Sequence, residues 1–459
     1  MTASSGQSGT FGRRVAAVFS TKVVALTLSL TTTIVISRIL GPDGKGAYVA
    51  VTALPGLLGA LGVFGLPNAV NYFSARGSSI RGLLGAGLLL TTILSAILIP
   101  LVWVSLPWLE TNVLRAAPDD LLRAILIVVP AALMSTFGMA ILYGRQQVRT
   151  YSTILIGQGL LTLTLSTLLV AVFRFGVAGA VASSITVTWL LALADVIAVG
   201  RLSRREPGGR PVSYRGLGGY GFRLYPASIT GYFNYRIDTY IIQAVMLAPK
   251  GPLGLYSMAV TMAELIFYVP DSVTMIFLPR VAGLSQEDAD ALLARVSRLT
   301  VLLTCLVAMA LIPAAWIGIH LVLPRFVDCL PAFYVLLPAV ISLSLSKVMT
   351  SYIAGRGRPG PISLGATITV VVNIVANIIL IPHFGIVGAA MASLISYTTS
   401  AMMLLSVASR LSHRSVLTLV VPGREEARVV VAGVRRGLGR ARELASSRGR
   451  KPGTQAGEP

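Results

Sequence analysis

Charged residues, cysteine and histidine are all scarce in this sequence. Lys, Arg, Asp and Glu together make up only 12% of the 459 residues, whereas a soluble globular chain averages about 25%. The two cysteines, Cys305 and Cys329, and the three histidines form no cluster, which excludes a disulfide framework and a structural zinc site. The scarcity of charge excludes an ordinary water-soluble domain.

Motifs of nucleotide and hydrolytic chemistry are missing as well. The sequence has no GxxxxGK[ST] loop for ATP, no HExxH zinc motif and no GxSxG nucleophile elbow. We therefore expect a protein that is not an enzyme, with no catalytic residues, no metal site and no cofactor. A net charge of +21 would suggest a nucleic-acid partner in a soluble protein. Because nearly all of the basic residues stand between the apolar runs or in the C-terminal tail, we expect no nucleic-acid partner here.

Long apolar runs dominate the rest of the chain, which is 54% hydrophobic with a mean hydropathy of +0.79. A helix needs roughly 20 residues to cross the hydrocarbon of a bilayer. Runs of that size predict an all-α, polytopic membrane protein with about 12 transmembrane helices. They lie at about 15–37, 47–73, 82–107, 121–143, 151–173, 176–200, 218–246, 254–278, 297–321, 331–353, 362–382 and 385–408.

The loops between these runs predict the orientation of the chain, because cytoplasmic loops carry an excess of Lys and Arg. With both termini in the cytoplasm, the inner segments before the tail hold sixteen basic residues and the outer loops hold seven, Lys45 among them. We therefore expect a multi-pass protein of the cytoplasmic membrane. A basic tail on the inner side would contact anionic lipids.

Three sequence matches indicate an internal repeat. Phe175-Gly176 aligns with Phe384-Gly385 at an offset of 209 residues, and Gly46 aligns with Gly254 at an offset of 208. Gly144-Arg145 and Gly355-Arg356 are a third pair. The repeat predicts two six-helix bundles around a central cavity, related by an axis along the membrane normal. The expected domains are a cytoplasmic N-terminus at 1–14, lobes at 15–200 and 218–408, a basic cytoplasmic linker at 201–217 and a basic cytoplasmic tail at 409–459.

Ionisable side chains inside the spans are the candidate substrate-binding residues, because such groups usually face a cavity or one another. The candidates are Lys22, Arg223, Arg236, Glu264, Asp271 and Lys347, together with Tyr232 and Tyr240, which share a helix face with Arg236. The cations could instead snorkel to the headgroups, and the tyrosines could be packing residues. We expect Asp238 to brace its lobe and Asp195 to be interfacial.

Several segments resemble a known family. RILGPDGKGAYVAV at 38–51 and FGLPNAVNYFSARG at 64–77 look like the opening of bacterial polysaccharide flippases, and residues 354–393 are similar to the family's helix eleven and twelve region. These proteins belong to the multidrug/oligosaccharidyl-lipid/polysaccharide exporter superfamily. The resemblance implies alternating access and a lipid-linked oligosaccharide as substrate. The lipid II flippase branch typically has fourteen helices, which counts against that assignment.

Three functions remain open at this level. The first is a flippase that moves a polyprenyl-diphosphate-linked oligosaccharide outward for cell-surface polysaccharide assembly, and we expect it to be a monomer. The second is a cation-coupled multidrug exporter of the same fold, which would want buried carboxylates that helices one to five lack. The third is a membrane-bound glycan polymerase or ligase, which would want an outer loop larger than that at 108–120.

Overall fold

The computed structural model describes residues 5–246, 248–426, 428 and 432, and their regular secondary structure is helical apart from one isolated bridge. The predicted all-α class is therefore confirmed. The first helices are α1 (Ser5–Gly62), α2 (Leu66–Ala75), α3 (Ile80–Asn112), α4 (Asp119–Ile125), α5 (Val128–Gly144), α6 (Val148–Ser166) and α7 (Gly176–Arg205). The later ones are α8 (Tyr214–Val245), α9 (Lys250–Ala263), α10 (Tyr268–Ala282), α11 (Gln286–Val322), α12 (Leu330–Gly355), α13 (Gly360–Ser412) and α14 (Val416–Val420).

Nine helical stretches among the described residues are long and apolar enough to cross a bilayer. Two of them, α1 and α13, contain breaks at Gly41 and Gly385, so each of these helices holds two segments. Helix α8 is also long enough, with 32 residues, although it is too polar to be among the nine. The described residues thus provide twelve segments of membrane-spanning length, and the prediction of about twelve transmembrane helices is confirmed.

Glycine conformation reproduces one of the predicted repeat matches. Gly176 begins α7 with φ of +60°, and Gly385 breaks α13 with φ of +56°. Both values lie in the left-handed region that favours glycine. The two Phe-Gly pairs therefore occupy the same kind of position, at the start of a helical segment.

A second match appears as a close crossing of α1 and α9. A Cβ on Gly46 would lie 1.7 Å from the carbonyl oxygen of Lys250, and one on Gly254 would lie 2.0 Å from that of Pro42. Lys250 and Pro42 are separated by the same 208 residues as the two glycines. Each helix thus presents the equivalent glycine to the equivalent carbonyl of the other, which supports the internal repeat.

The helices group into two compact units. The first takes in the described residues up to Ala263, together with Pro313–Leu336 and Ala366–Ser396. The second takes in Glu264–Ile312, Leu337–Gly365 and the described residues from Tyr397 onward. These groupings do not follow the predicted lobes at 15–200 and 218–408, whose boundaries stay predictions.

The core of the second unit includes the beginning of the predicted tail. Leu419, in α14, is fully buried in that core, and its carbonyl oxygen accepts a hydrogen bond of 2.7 Å from the Ser297 hydroxyl. Arg298 forms an ion pair of 2.9 Å with the buried Glu426. The folded body therefore extends well past residue 409. The surface helix that the sequence indicates at 424–445 lies mostly outside the described residues.

Candidate functional site

A cavity of about 450 Å³ lies within the first unit. Its walls come from the second segment of α1, from α2, α4, α5 and α7, and from Ser228 of α8. Small residues of α1, among them Gly56 and Gly59, make room for it, and a Cβ on Gly59 would have no neighbour within 4 Å. The polar groups on its walls are the hydroxyls of Thr52, Thr136, Ser184, Thr188 and Ser228 and the amide of Asn68. The residues that line this cavity carry no charge.

A second, more open recess of about 660 Å³ lies between α2 and α8 and shares Asn68 and Ser228 with the cavity. We call it the tyrosine groove, because Tyr72 and Tyr220 stack in it with ring centroids 4.3 Å apart and planes 16° apart. The amide of Asn71 also lines it. Uncharged hydroxyl and amide groups beside aromatic rings can hydrogen-bond and stack on a polyhydroxylated ligand.

The face of α8 that carries Tyr232, Arg236 and Tyr240 is partly buried and partly exposed. Tyr240 is 5% exposed and donates a hydrogen bond of 2.9 Å to the carbonyl oxygen of Ala53 in α1. Its single hydroxyl proton is thereby used, so Tyr232, 2.6 Å away, donates to Tyr240. Tyr232 also lies next to Gly56 in the cavity wall, whereas Arg236 is exposed. Tyr240 is therefore a packing residue, and Tyr232 borders the cavity.

Asp238, on another face of α8, is the centre of a buried polar group that we call the Asp238 cluster. Its carboxylate accepts hydrogen bonds from the Tyr256 hydroxyl at 2.5 Å and from the Ser393 hydroxyl and Asn377 amide at 3.0 Å each. Asn377 also bonds to Asn373 at 2.9 Å, and all of these residues are buried. The cluster joins α8, α9 and α13, in agreement with the bracing role expected for Asp238.

The asparagines of this cluster are not among the candidate residues predicted from the sequence. Asn373 and Asn377 are one helical turn apart in an otherwise apolar helix, and Ser393 and Ser396 are spaced similarly in the next segment. Such polar stripes in a membrane span are the sequence signal that could have indicated a buried polar cluster. Pairing them with Asp238 requires knowledge of which helices are neighbours.

The second unit contains two of the predicted site residues in direct contact. The ammonium of Lys347 lies 2.7 Å from a carboxylate oxygen of Asp271 and 4.1 Å from the ring centroid of Phe267. A candidate cation and a candidate anion from the sequence therefore pair with each other. Glu264 begins a short 3₁₀ turn, Glu264–Phe267, and is half-buried.

Lys22 and Arg223 are both exposed, and neither forms an ion pair within the described part of the chain. Asp195, which we expected at the membrane interface, has a side chain that is 0% exposed. The Ser135 hydroxyl donates a hydrogen bond of 2.5 Å to it, and Gly138 lets α5 approach so closely that a Cβ there would lie 2.7 Å from that of Asp195. Packing between α5 and α7 is the physical reason for this burial.

Lys45 also departs from the sequence expectation. It was expected in the outer loop between the apolar runs at 15–37 and 47–73, but α1 continues through this region after the break at Gly41. Lys45 is a helical residue that is only 6% exposed.

Comparison with solved structures identifies the fold. The chain is similar to an inward-facing multidrug resistance MATE family transporter of the MOP superfamily, with a TM-score of 0.67 and 15% identity over 85% of this chain and 96% of that one. It is also similar to the lipid II flippase MurJ in an inward closed conformation, with a TM-score of 0.64 and 14% identity over 86% of this chain and 87% of that one. The MATE transporter VcmN of Vibrio cholerae matches with a TM-score of 0.54 and 13% identity over 90% of this chain and all of that one.

No protein-family model and no curated protein matches the sequence. The chain is thus a multi-pass membrane protein with the fold shared by MATE and MurJ transporters.

Proposed function

We propose that this protein is a flippase that moves a polyprenyl-diphosphate-linked oligosaccharide from the inner to the outer leaflet by alternating access, for cell-surface polysaccharide assembly. The observation that carries the proposal is that the uncharged cavity adjoins the tyrosine groove, with Asn68 and Ser228 lining both. Hydroxyl, amide and tyrosine groups suit neutral sugar units. A cationic drug would be held better by a carboxylate, and none of the residues that line either space is acidic.

The diphosphate of such a substrate needs cations near the cytoplasmic leaflet. Lys22 and Arg223 are exposed at depths that the predicted orientation places on that side, and Arg can bind a phosphate bidentately. Lys347 is a weaker candidate than it was in the sequence, since Asp271 already pairs with it. Arg236, Tyr232, Glu264 and Asp271 stay candidate substrate residues by this proposal.

The membrane potential would assist export of a diphosphate. Outward movement carries negative charge away from a negative interior, and the field is worth about 2.3 kcal/mol per charge per 100 mV. Two charges crossing fully would gain about 4–5 kcal/mol, and cations that move with the substrate would reduce this gain. We therefore propose transport that depends on potential and not on ATP.

The test is flipping in vesicles that contain the purified protein and a lipid-linked oligosaccharide. We expect glycan to become accessible to an external probe faster when the potential favours outward movement of negative charge. Replacing Lys22 and Arg223 by Gln should slow this more for the diphosphate lipid than for a neutral analogue. Vesicles that move no lipid-linked glycan at all would contradict the proposal.

A cation-coupled exporter is the second candidate, and the Asp238 cluster is the observation that favours it. The buried Asn377 side-chain oxygen has no hydrogen-bond partner among the described residues, and it belongs to a residue that touches a buried carboxylate. Carboxylate and amide oxygens are ligands for hard cations. Transport that ignores the potential but follows a sodium or proton gradient, and that is lost in Asp238→Asn, would favour this function.

A further inference from the structure

Lys45 is a buried cation that the proposed function does not use. It is 6% exposed, and its ammonium forms no ion pair or hydrogen bond with the residues that the structure describes. The contact recorded for it is the ring of Tyr48, 6.0 Å from ammonium to centroid. Asp43 is two residues away but exposed, and it lies beside Gly251.

The glycines on either side of Lys45 explain its burial. Gly46 lets α9 approach until a Cβ would lie 1.7 Å from a carbonyl oxygen, and Gly44 lies close to Val177 of α7. Most of the lysine side chain is thus buried against neighbouring helices. A buried charge without a counter-ion is costly in any protein, and ionisable residues within membrane spans usually mark a functional pathway.

Helical spacing relates Lys45 to the cavity. Lys45, Tyr48, Thr52 and Gly59 follow one another at steps of 3, 4 and 7 residues, which places them on one face of the helix. Thr52 and Gly59 line the cavity. Lys45 lies seven residues before Thr52, about 10 Å along the helix axis, toward the end that the predicted orientation places on the outer side.

We propose that Lys45 is an anion-binding site at the outer end of the cavity face and that it takes the diphosphate of the lipid-linked substrate during export. The identity of the anion rests on the proposed function, but the anion site does not. A lysine ammonium is a compact point charge with three donors, suited to hold a phosphate group without the planar fork of arginine.

Three variants test this site by binding of a polyprenyl diphosphate that carries no sugar. Lys45→Met removes the charge with little change of volume, Lys45→Arg keeps the charge, and Lys250→Gln removes an exposed lysine near the same crossing. We expect Lys45→Met to weaken binding about tenfold or more, Lys45→Arg to retain most of it, and Lys250→Gln to leave it unchanged. None of the three should alter binding of the corresponding neutral polyprenol.

Thermal unfolding separates an anion site from a structural role. Because Lys45→Met removes a buried charge, we expect the variant to unfold at the same temperature as the natural protein or higher. A large drop in unfolding temperature, or diphosphate binding equal to that of the natural protein, would overturn the proposal.

Two further outcomes distinguish this inference from the proposed function. Charge-dependent diphosphate binding at Lys45 in a protein that flips no lipid-linked glycan would leave the anion site standing and remove the flippase. Normal glycan flipping by Lys45→Met would leave the flippase standing and remove the anion site.

Discussion

The Asp238 cluster and the cavity walls both contain polar groups in apolar helices, but their hydrogen bonds differ in the distance along the chain between the bonded residues. Asp238 bonds to partners 139 and 155 residues away, on α13. In the cavity walls, the hydroxyls of Thr52, Thr136 and Thr188 each donate to a carbonyl four residues earlier in the same helix. The first arrangement ties helices together. The threonine bonds tie no helices together and leave oxygen lone pairs that a ligand can use, although Asn68 donates a 3.5 Å bond from α2 to Ser228 of α8.

The tail provides the largest expected effect, because its contacts are also of the long-range kind. Truncation after Ser412 removes the buried Leu419 and the Glu426–Arg298 pair. We expect a loss of about 4 kcal/mol of unfolding free energy in detergent. Truncation after Arg428 keeps these contacts and should cost less than about 0.5 kcal/mol.

Thermal unfolding of the two truncated proteins measures how much residues 413–428 contribute to stability. Equal stability of both would show that residues 413–428 contribute nothing to the stability of the protein. A stable, active protein that ends after Arg428 would confirm that the functional body ends there.

Asp238→Ala should have the next largest effect. It leaves the hydroxyls of Tyr256 and Ser393 and the amide of Asn377 without their acceptor, in a site closed to water. We expect a loss of about 2–4 kcal/mol. Asp238→Asn keeps one acceptor oxygen and should lose about half as much. Unfolding of both in detergent, with flipping measured on the folded fraction, is the measurement.

Sequence periodicity predicted the helices and the internal repeat. Of the Asp238 cluster, the sequence predicted only that Asp238 braces its lobe. The apolar runs and the Gly46–Gly254 match follow from local spacing, which is readable along the chain. The partners of Asp238 are not readable in this way, because they depend on which helices pack together.

The burial of Lys45 and that of Asp195 have the same origin. The helix α1 resumes at once after the break at Gly41, and packing against α7 and α9 buries Lys45. Asp195 was assigned to the interface by its distance from the end of a span. Its burial depends on Gly138 of another helix.

Removing a cavity hydroxyl should change the stability of the protein little but slow transport. Removing the Asp238 carboxylate, by contrast, should have a large effect on stability. Thr136→Val and Thr188→Val break only bonds within one helix, so each should change the unfolding free energy by about 0.5 kcal/mol or less. If the cavity holds sugars, both should slow glycan flipping. Thr153→Val is the matched control, since its hydroxyl also bonds within its own helix but does not line the cavity. Equal flipping by all three variants would remove the cavity from the transport path.

Arg236→Ala should have the smallest effect on stability and still impair export. The side chain is exposed and forms no ion pair with the described residues, so its removal should change the unfolding free energy by less than about 0.5 kcal/mol. It lies one turn from Tyr232, which borders Gly56 in the cavity wall, and its guanidinium can bind a phosphate bidentately.

Arg236 and Asp238 are neighbours on α8 and face different surroundings. Substituting each of them therefore tests which face of α8 serves transport. We expect Arg236→Ala to insert and unfold normally but to flip the diphosphate-linked glycan several-fold more slowly, with a smaller loss for a neutral analogue. Arg236→Lys should recover part of the rate, since it keeps the charge but not the bidentate geometry. If Arg236→Ala transports normally while stably folded Asp238→Asn does not, the face of α8 that serves transport is the one that carries Asp238, and the cation-coupled function gains the support that the flippase loses.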